Sequence, residues 1–78
     1  MKLRVEFTVE PFTEGSPGPH VDAAVSAASD YPVDVEFGPF GTSISGPADE
    51  VLSALDAAVR AAVATGATTV SVQVAVAP

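Results

Sequence analysis

Strict alternation of apolar and polar residues near both ends, two helically spaced stretches between turn-forming residues, and a length of 78 residues predict one small α+β domain with a sheet and two helices. From Lys2 to Glu10 the apolar side chains occupy odd positions (Leu3, Val5, Phe7, Val9) and the polar ones even positions, the pattern of a half-buried strand. Pro11 ends it, and the stretch from Thr13 to Pro19, with its glycines and prolines, is a turn-forming loop. Two starts are open to the helix that follows. Either Ser16 caps it with Pro17 at the first helical position, or Gly18 precedes Pro19 there; each places a proline where its missing N–H costs nothing. Val21, Ala24, Val25 and Ala28 then recur at helical spacing. Tyr31-Pro32 stops the helix, because the residue before a proline is driven out of the helical region.

Val33, Val35 and Phe37 alternate with Asp34 and Glu36 as a second strand. Gly38-Pro39-Phe40-Gly41 breaks the alternation and Thr42-Ser43-Ile44-Ser45 resumes it, so the two strands form a hairpin around a Gly/Pro connection. Gly46 is placed to cap the second helix and Pro47 to be its first residue, while Asp49 and Glu50 set negative charge at the positive end of the helix dipole. Val51, Leu52, Leu55, Val59, Ala62 and Val63 make the expected buried stripe, and Gly66 the stop. In the last strand Val70, Val72, Val74 and Val76 alternate with Ser71, Gln73, Ala75 and Ala77. A helix from Pro47 to Thr65 spans about 28 Å and a nine-residue strand about 30 Å, so one can cover the other. The order β-α-β-β-α-β is that of the ferredoxin-like sandwich: a four-stranded antiparallel sheet with two helices on one face, here a single domain over residues 1–78.

Composition narrows the functional classes. A hydrophobic fraction of 47% with 17% charged residues describes a folded chain rather than a disordered one. With no cysteine there is no disulfide framework and no thiolate metal site, and one histidine does not make a multi-histidine centre. A net charge of −7 argues against a phosphate-tracking surface for nucleic acid. No basic segment leads into a long apolar run at the N-terminus and no run is long enough to span a bilayer, so a cytoplasmic protein without membrane attachment is expected. A chain of this size buries only about 60 to 65% of its unfolded surface, which makes self-association a useful source of stability. The uncovered sheet face, carrying Arg4, Glu6, Thr8, Asp34, Glu36, Ser71, Gln73 and Ala75, reads either as solvated or as a packing surface between subunits.

Catalytic chemistry is poorly represented. Ser16, Ser43 and Ser45 have no nucleophile-elbow context, and no Ser-His-acid layout or phosphate-cradling loop is present. His20, the only imidazole, is read as a packing or hydrogen-bonding residue, with acid-base work or ligand contact as the other reading. Glu6, Glu10, Asp34 and Glu36 can meet on adjacent strands, either as a solvated acidic face or as a cation or acid-base group. Gly38-Pro39-Phe40-Gly41-Thr42 stands out. Its glycines and proline leave backbone groups approachable, Phe40 offers an aromatic face and Thr42 a hydroxyl, so the segment is a hairpin turn and also a potential binding wall. The first and third strands are neighbours in this topology, which brings Phe12 into the same region.

At these residues the chain resembles a known family. Val5-Glu6-Phe7-Thr8-Val9-Glu10-Pro11-Phe12, the Gly15-Ser16 helix entry, Pro39-Phe40-Gly41-Thr42-Ser43-Ile44-Ser45-Gly46 and Asp49-Glu50-Val51-Leu52 are similar to the small thiamine-binding proteins over essentially the whole chain. Phe40 stands where methionine is usual in that family, Ser45 where glutamate is usual, and Val35 where an aromatic is usual. The resemblance implies a ferredoxin-like protomer that assembles into dimers and tetramers. It also implies non-catalytic binding of thiamine or its hydroxymethylpyrimidine moiety, with no bound cofactor. Glu10, Phe12, Ser16, Phe40, Gly41 and Thr42 are the candidate ligand-binding residues, with Glu10 as the partner for a ligand cation or exocyclic amine. Thiamine is cationic and carries two aromatic rings, which suits an acidic protein that offers phenylalanines. The competing reading is an oligomeric regulatory or assembly module without thiamine affinity. A small phosphatase would need a catalytic asparagine, which the chain lacks, and RNA binding would need exposed aromatics on the central strands.

Overall fold

The computed structural model describes residues 1–12, 18–38 and 41–77. The elements run β1 (Lys2–Glu10), α1 (Pro19–Ser29), β2 (Asp34–Gly38), β3 (Gly41–Pro47), α2 (Ala48–Ala64) and β4 (Thr69–Ala77). All strand pairs are antiparallel and the sheet order is β2-β3-β1-β4, so the expected ferredoxin-like α+β sandwich is the observed fold. β1 lies in the middle of the sheet, and its odd-numbered residues are buried while its even-numbered ones are exposed, as the alternation predicts. The core joins Leu3, Val5, Phe7 and Val9 to Ile44 of β3, Val21, Ala24 and Ala28 of α1, and Val51, Ala54, Ala58 and Ala62 of α2.

One of the two open helix starts is selected, and two local expectations are corrected. α1 starts at Pro19 and takes Gly18 as its cap, with φ of 88°, a left-handed conformation that glycine adopts without a Cβ penalty. The alternative cap, Ser16, lies outside the described residues. Gly46 and Pro47 belong to β3 rather than to the second helix, because pairing with β1 continues through Leu3↔Gly46 and Lys2↔Pro47. The helix accordingly begins at Ala48, whose N–H donates to the Met1 carbonyl.

The buried stripe of α2 is also rotated from the expected one. Val51, Ala54, Ala58 and Ala62 are fully buried, Leu55 and Val59 half-buried, and Leu52 and Val63 exposed. At 100° per residue the four buried positions share one face and Leu52 and Val63 lie about a third of a turn away. α1 packs against α2, and the alanines on both helices allow a close approach that larger side chains on that face would prevent. Among the described residues no helix is long and apolar enough to cross a membrane.

Candidate functional site

The register places one row of side chains across the sheet at the end nearest the start of α1. Phe37 of β2 is opposite Thr42 of β3, Thr42 opposite Phe7 of β1, and Phe7 opposite Val72 of β4. Opposed residues in an antiparallel pair project to the same side, so this row follows buried Phe7 to the helix side. Beside the row, the end of β1 and the chain after it bring in Val9, Glu10 and Phe12, and the first turn of α1 brings in Val21. These residues enclose a cavity of about 280 Å³, lined by Phe7, Thr8, Val9, Glu10, Phe12, Val21, Phe37, Gly41 and Thr42.

Four of the six residues singled out from the sequence, Glu10, Phe12, Gly41 and Thr42, therefore line one cavity. The other two, Ser16 and Phe40, lie outside the described residues. Of the five further lining residues, Phe7, Thr8, Val9, Val21 and Phe37, the half-exposed aromatic Phe37 is the one of chemical consequence that sequence reasoning missed. It is 50% exposed despite its place on the helix side of the sheet, and with Phe12, 44% exposed, it gives the cavity two partly open aromatic side chains. The signal was available: once Gly38 pairs with Gly41, Phe37 must face Thr42.

Gly41 sets the geometry. Its φ is 150°, and a Cβ there would lie 2.9 Å from the Phe7 carbonyl oxygen and 3.1 Å from Thr8 Cγ2. A side chain would wedge β3 away from β1, so the glycine is what allows Thr42 to sit buried beside Phe7. The lip holding Phe12 is tied down from two sides. Buried His20 donates its Nε2–H to the Pro11 carbonyl, which joins the first turn of α1 to the residue before Phe12. The Glu10 carbonyl accepts from the Thr68 backbone N–H at 2.7 Å and from its hydroxyl at 3.2 Å. His20 is thus a hydrogen-bonding and packing residue, and the Glu10 side chain is exposed at the mouth.

A larger hollow, about 510 Å³, lies on the open sheet face, lined among others by Arg4, Glu6, Thr8, Glu36, Ser43 and Gln73. Arg4 Nε approaches Glu6 Oε1 at 3.4 Å with both side chains more than half exposed, so this pair contributes little to stability. The side chains of Arg4, Glu6, Thr8, Glu36, Ser43 and Ser71 in this hollow are exposed or half-exposed, and neither half-exposed phenylalanine, Phe12 or Phe37, borders it. The smaller, aromatic-lined cavity has the character of a small-molecule site: an apolar enclosure with a few placed polar groups. Among the described residues no group of three or more histidine, aspartate or glutamate side chains is positioned to hold a metal.

Comparison with known proteins agrees with this architecture. A family model described as thiamine-binding protein matches residues 5–77. A solved protein from Streptococcus pneumoniae is 22% identical with a TM-score of 0.81, covering 100% of this chain and 89% of its own. A domain of unknown function from Bacillus cereus is 25% identical with a TM-score of 0.74, over 99% of this chain and 77% of its own. A candidate thiamine biosynthesis or salvage protein from Thermotoga maritima is 24% identical with a TM-score of 0.68, over 96% of this chain and 81% of its own. No curated protein matches.

Proposed function

The chain belongs to the thiamine-binding protein family, and from that premise we propose that it is a non-catalytic binding protein for thiamine or its hydroxymethylpyrimidine moiety, working as a homo-oligomer. The observation that carries the proposal is the cavity between Phe12 and Phe37, with Glu10 at its mouth and Thr42 and Gly41 in its wall. A volume of about 280 Å³ sits at the small end of ligand pockets, which begin at roughly 300 Å³. It suits one substituted aromatic ring better than two. The pyrimidine occupies the cavity in this reading, and the thiazolium of intact thiamine extends toward the mouth.

The chemistry of the wall fits that assignment. Phe12 and Phe37 supply π-faces for stacking, and such faces also attract a nearby cation. Thr42 supplies a hydroxyl able to donate to a ring nitrogen or accept from an exocyclic amine. Glu10 supplies an acceptor carboxylate for that amine or for the thiazolium charge, and the −7 net charge raises the local concentration of a cationic ligand. The candidate thiamine biosynthesis or salvage protein from Thermotoga maritima shares the fold and supports the same ligand class. Calorimetric titration with thiamine and, separately, with hydroxymethylpyrimidine tests the proposal. Saturable heat with one ligand per protomer is expected for at least one of them, and no heat with either at millimolar ligand removes the reading.

A further inference from the structure

The charge around the aromatic-lined cavity is one-sided. Lys2, Arg4 and Arg60 are the three basic residues of the chain, and none of them lines that cavity. Lys2 stands at the other end of the nine-residue β1 from Glu10, about 26 Å away at 3.3 Å per residue. Arg4 borders the hollow on the open face, with its Nε 3.4 Å from Glu6 Oε1. Arg60, exposed on α2, donates to Asp56 at 2.9 Å. Two helix ends add to the imbalance. The start of α1, which brings Val21 to the cavity, is where backbone N–H groups would ordinarily cradle an anion, but Pro19 has no N–H to give and Asp22 sets a carboxylate in the same turn. α2 ends at Ala64 and Thr68 reaches the Glu10 carbonyl, so the negative end of that helix dipole lies at the same end of the sheet. The charged side chain in the cavity lining is therefore a carboxylate, Glu10, with no cation beside it.

We propose that the cavity takes an unphosphorylated alcohol and rejects its phosphate ester, with Glu10 as the residue that sets the discrimination. This rests on the ligand reading above and names the chemical form of that ligand which the site accepts. Hydroxymethylpyrimidine and thiamine both carry a primary hydroxyl, and esterification there replaces a neutral group by a phosphate of about −1.5 to −2 charges at neutral pH. Proteins hold such groups with arginine, lysine or a helix start rich in free N–H groups, and this cavity offers none of the three. In the ester of hydroxymethylpyrimidine the phosphate is one methylene from the ring, so a ring seated in about 280 Å³ brings it against Glu10 at the mouth. Repulsion between the two anions, with no cation to relieve it, is expected to weaken binding about 10- to 100-fold relative to the alcohol. In thiamine monophosphate the phosphate hangs from the thiazolium, outside the mouth, where water and salt screen it. The expected loss there is smaller, about 2- to 5-fold. The −7 net charge acts in the same sense on both esters.

Calorimetric titration of the full chain with hydroxymethylpyrimidine, its phosphate, thiamine and thiamine monophosphate, at low and at high salt, tests the proposal. In each pair the alcohol is expected to bind more tightly than its ester, by the larger factor in the pyrimidine pair, and the thiamine pair should converge at high salt. Glu10→Lys sets a cation where the carboxylate stood. It should bind the pyrimidine phosphate more tightly than the unmodified protein does, closing or reversing the ratio between ester and alcohol. Glu10→Gln removes the charge without replacing it and should narrow the ratio without reversing it. The Glu10 side chain is exposed, so both variants should keep the circular dichroism of the unmodified protein, and if Glu10→Lys does not fold, Glu10→Gln still decides. Equal affinity for alcohol and ester, tighter binding of the ester, or a ratio unchanged by substitution of Glu10 overturns the proposal and leaves the ligand reading in place. No heat with any of the four compounds removes the ligand reading itself, and this proposal with it.

Discussion

Replacing Gly41 with alanine tests how the site is held together. The new Cβ would sit 2.9 Å from the Phe7 carbonyl oxygen, closer than real Cβ contacts, and the obstacle is backbone of the central strand rather than a side chain that can swing away. Relief requires β3 to move off β1 near the Thr42–Phe7 pair. The backbone at φ 150° adds strain of about 1 to 3 kcal/mol for a residue with a Cβ. Strain and strand separation together are expected to cost about 2 to 4 kcal/mol, a large part of the roughly 4 to 12 kcal/mol typical for a chain of this length. That corresponds to a fall in Tm of about 10 to 25 °C. Gly66→Ala provides the comparison, because Gly66 also has positive φ, 109°, but nothing within 4 Å of its Cβ position, so it carries backbone strain alone. Thermal and urea unfolding followed by circular dichroism measure both. If Gly41→Ala melts no lower than Gly66→Ala, the close approach of β3 to β1 does not hold the site.

Further substitutions separate binding from folding. Phe37→Ala removes a half-exposed ring and should leave the urea midpoint nearly unchanged while weakening ligand binding by about 5- to 30-fold in calorimetry, the loss of one stacking contact of roughly 1 to 2 kcal/mol. Glu10→Gln keeps the size of an exposed side chain and removes its charge. It should weaken thiamine binding less than tenfold, by an amount that shrinks as salt is raised, as titrations at two ionic strengths would show. His20→Leu removes the donor to the Pro11 carbonyl and should cost about 1 to 2 kcal/mol in urea unfolding, with a loss of affinity as the segment holding Phe12 is released.

The fold was legible because alternation and punctuation agree. The odd-position apolar residues of β1 and the helix spacing between Gly/Pro stops already imply the layered order, and the observed strands and helices follow it. The misplacements have physical causes. Gly46 and Pro47 read locally as a helix start, but the extended partner in β1 draws them into the sheet. Residue size alone points the α2 stripe at Leu52 and Val63, whereas packing of α1 selects the alanines and leaves those two outside. The hairpin register sets Phe37 opposite Thr42, but its half-exposure depends on where the helix layer ends, which no periodicity reveals. The clustering of Glu10 and Phe12 with Gly41 and Thr42 was foreseeable, since β1 and β3 are neighbours in this topology.

The central claim is that the ligand occupies the cavity on the helix side of the sheet rather than the larger hollow on its open face. Backbone amide NMR of the labelled protein titrated with hydroxymethylpyrimidine tests this most directly. The account predicts that the amide signals that shift will cluster at Glu10, Phe12, Phe37, Gly41 and Thr42. Shifts centred on Arg4, Glu6, Ser43 and Gln73 instead, or none at millimolar ligand, would contradict it.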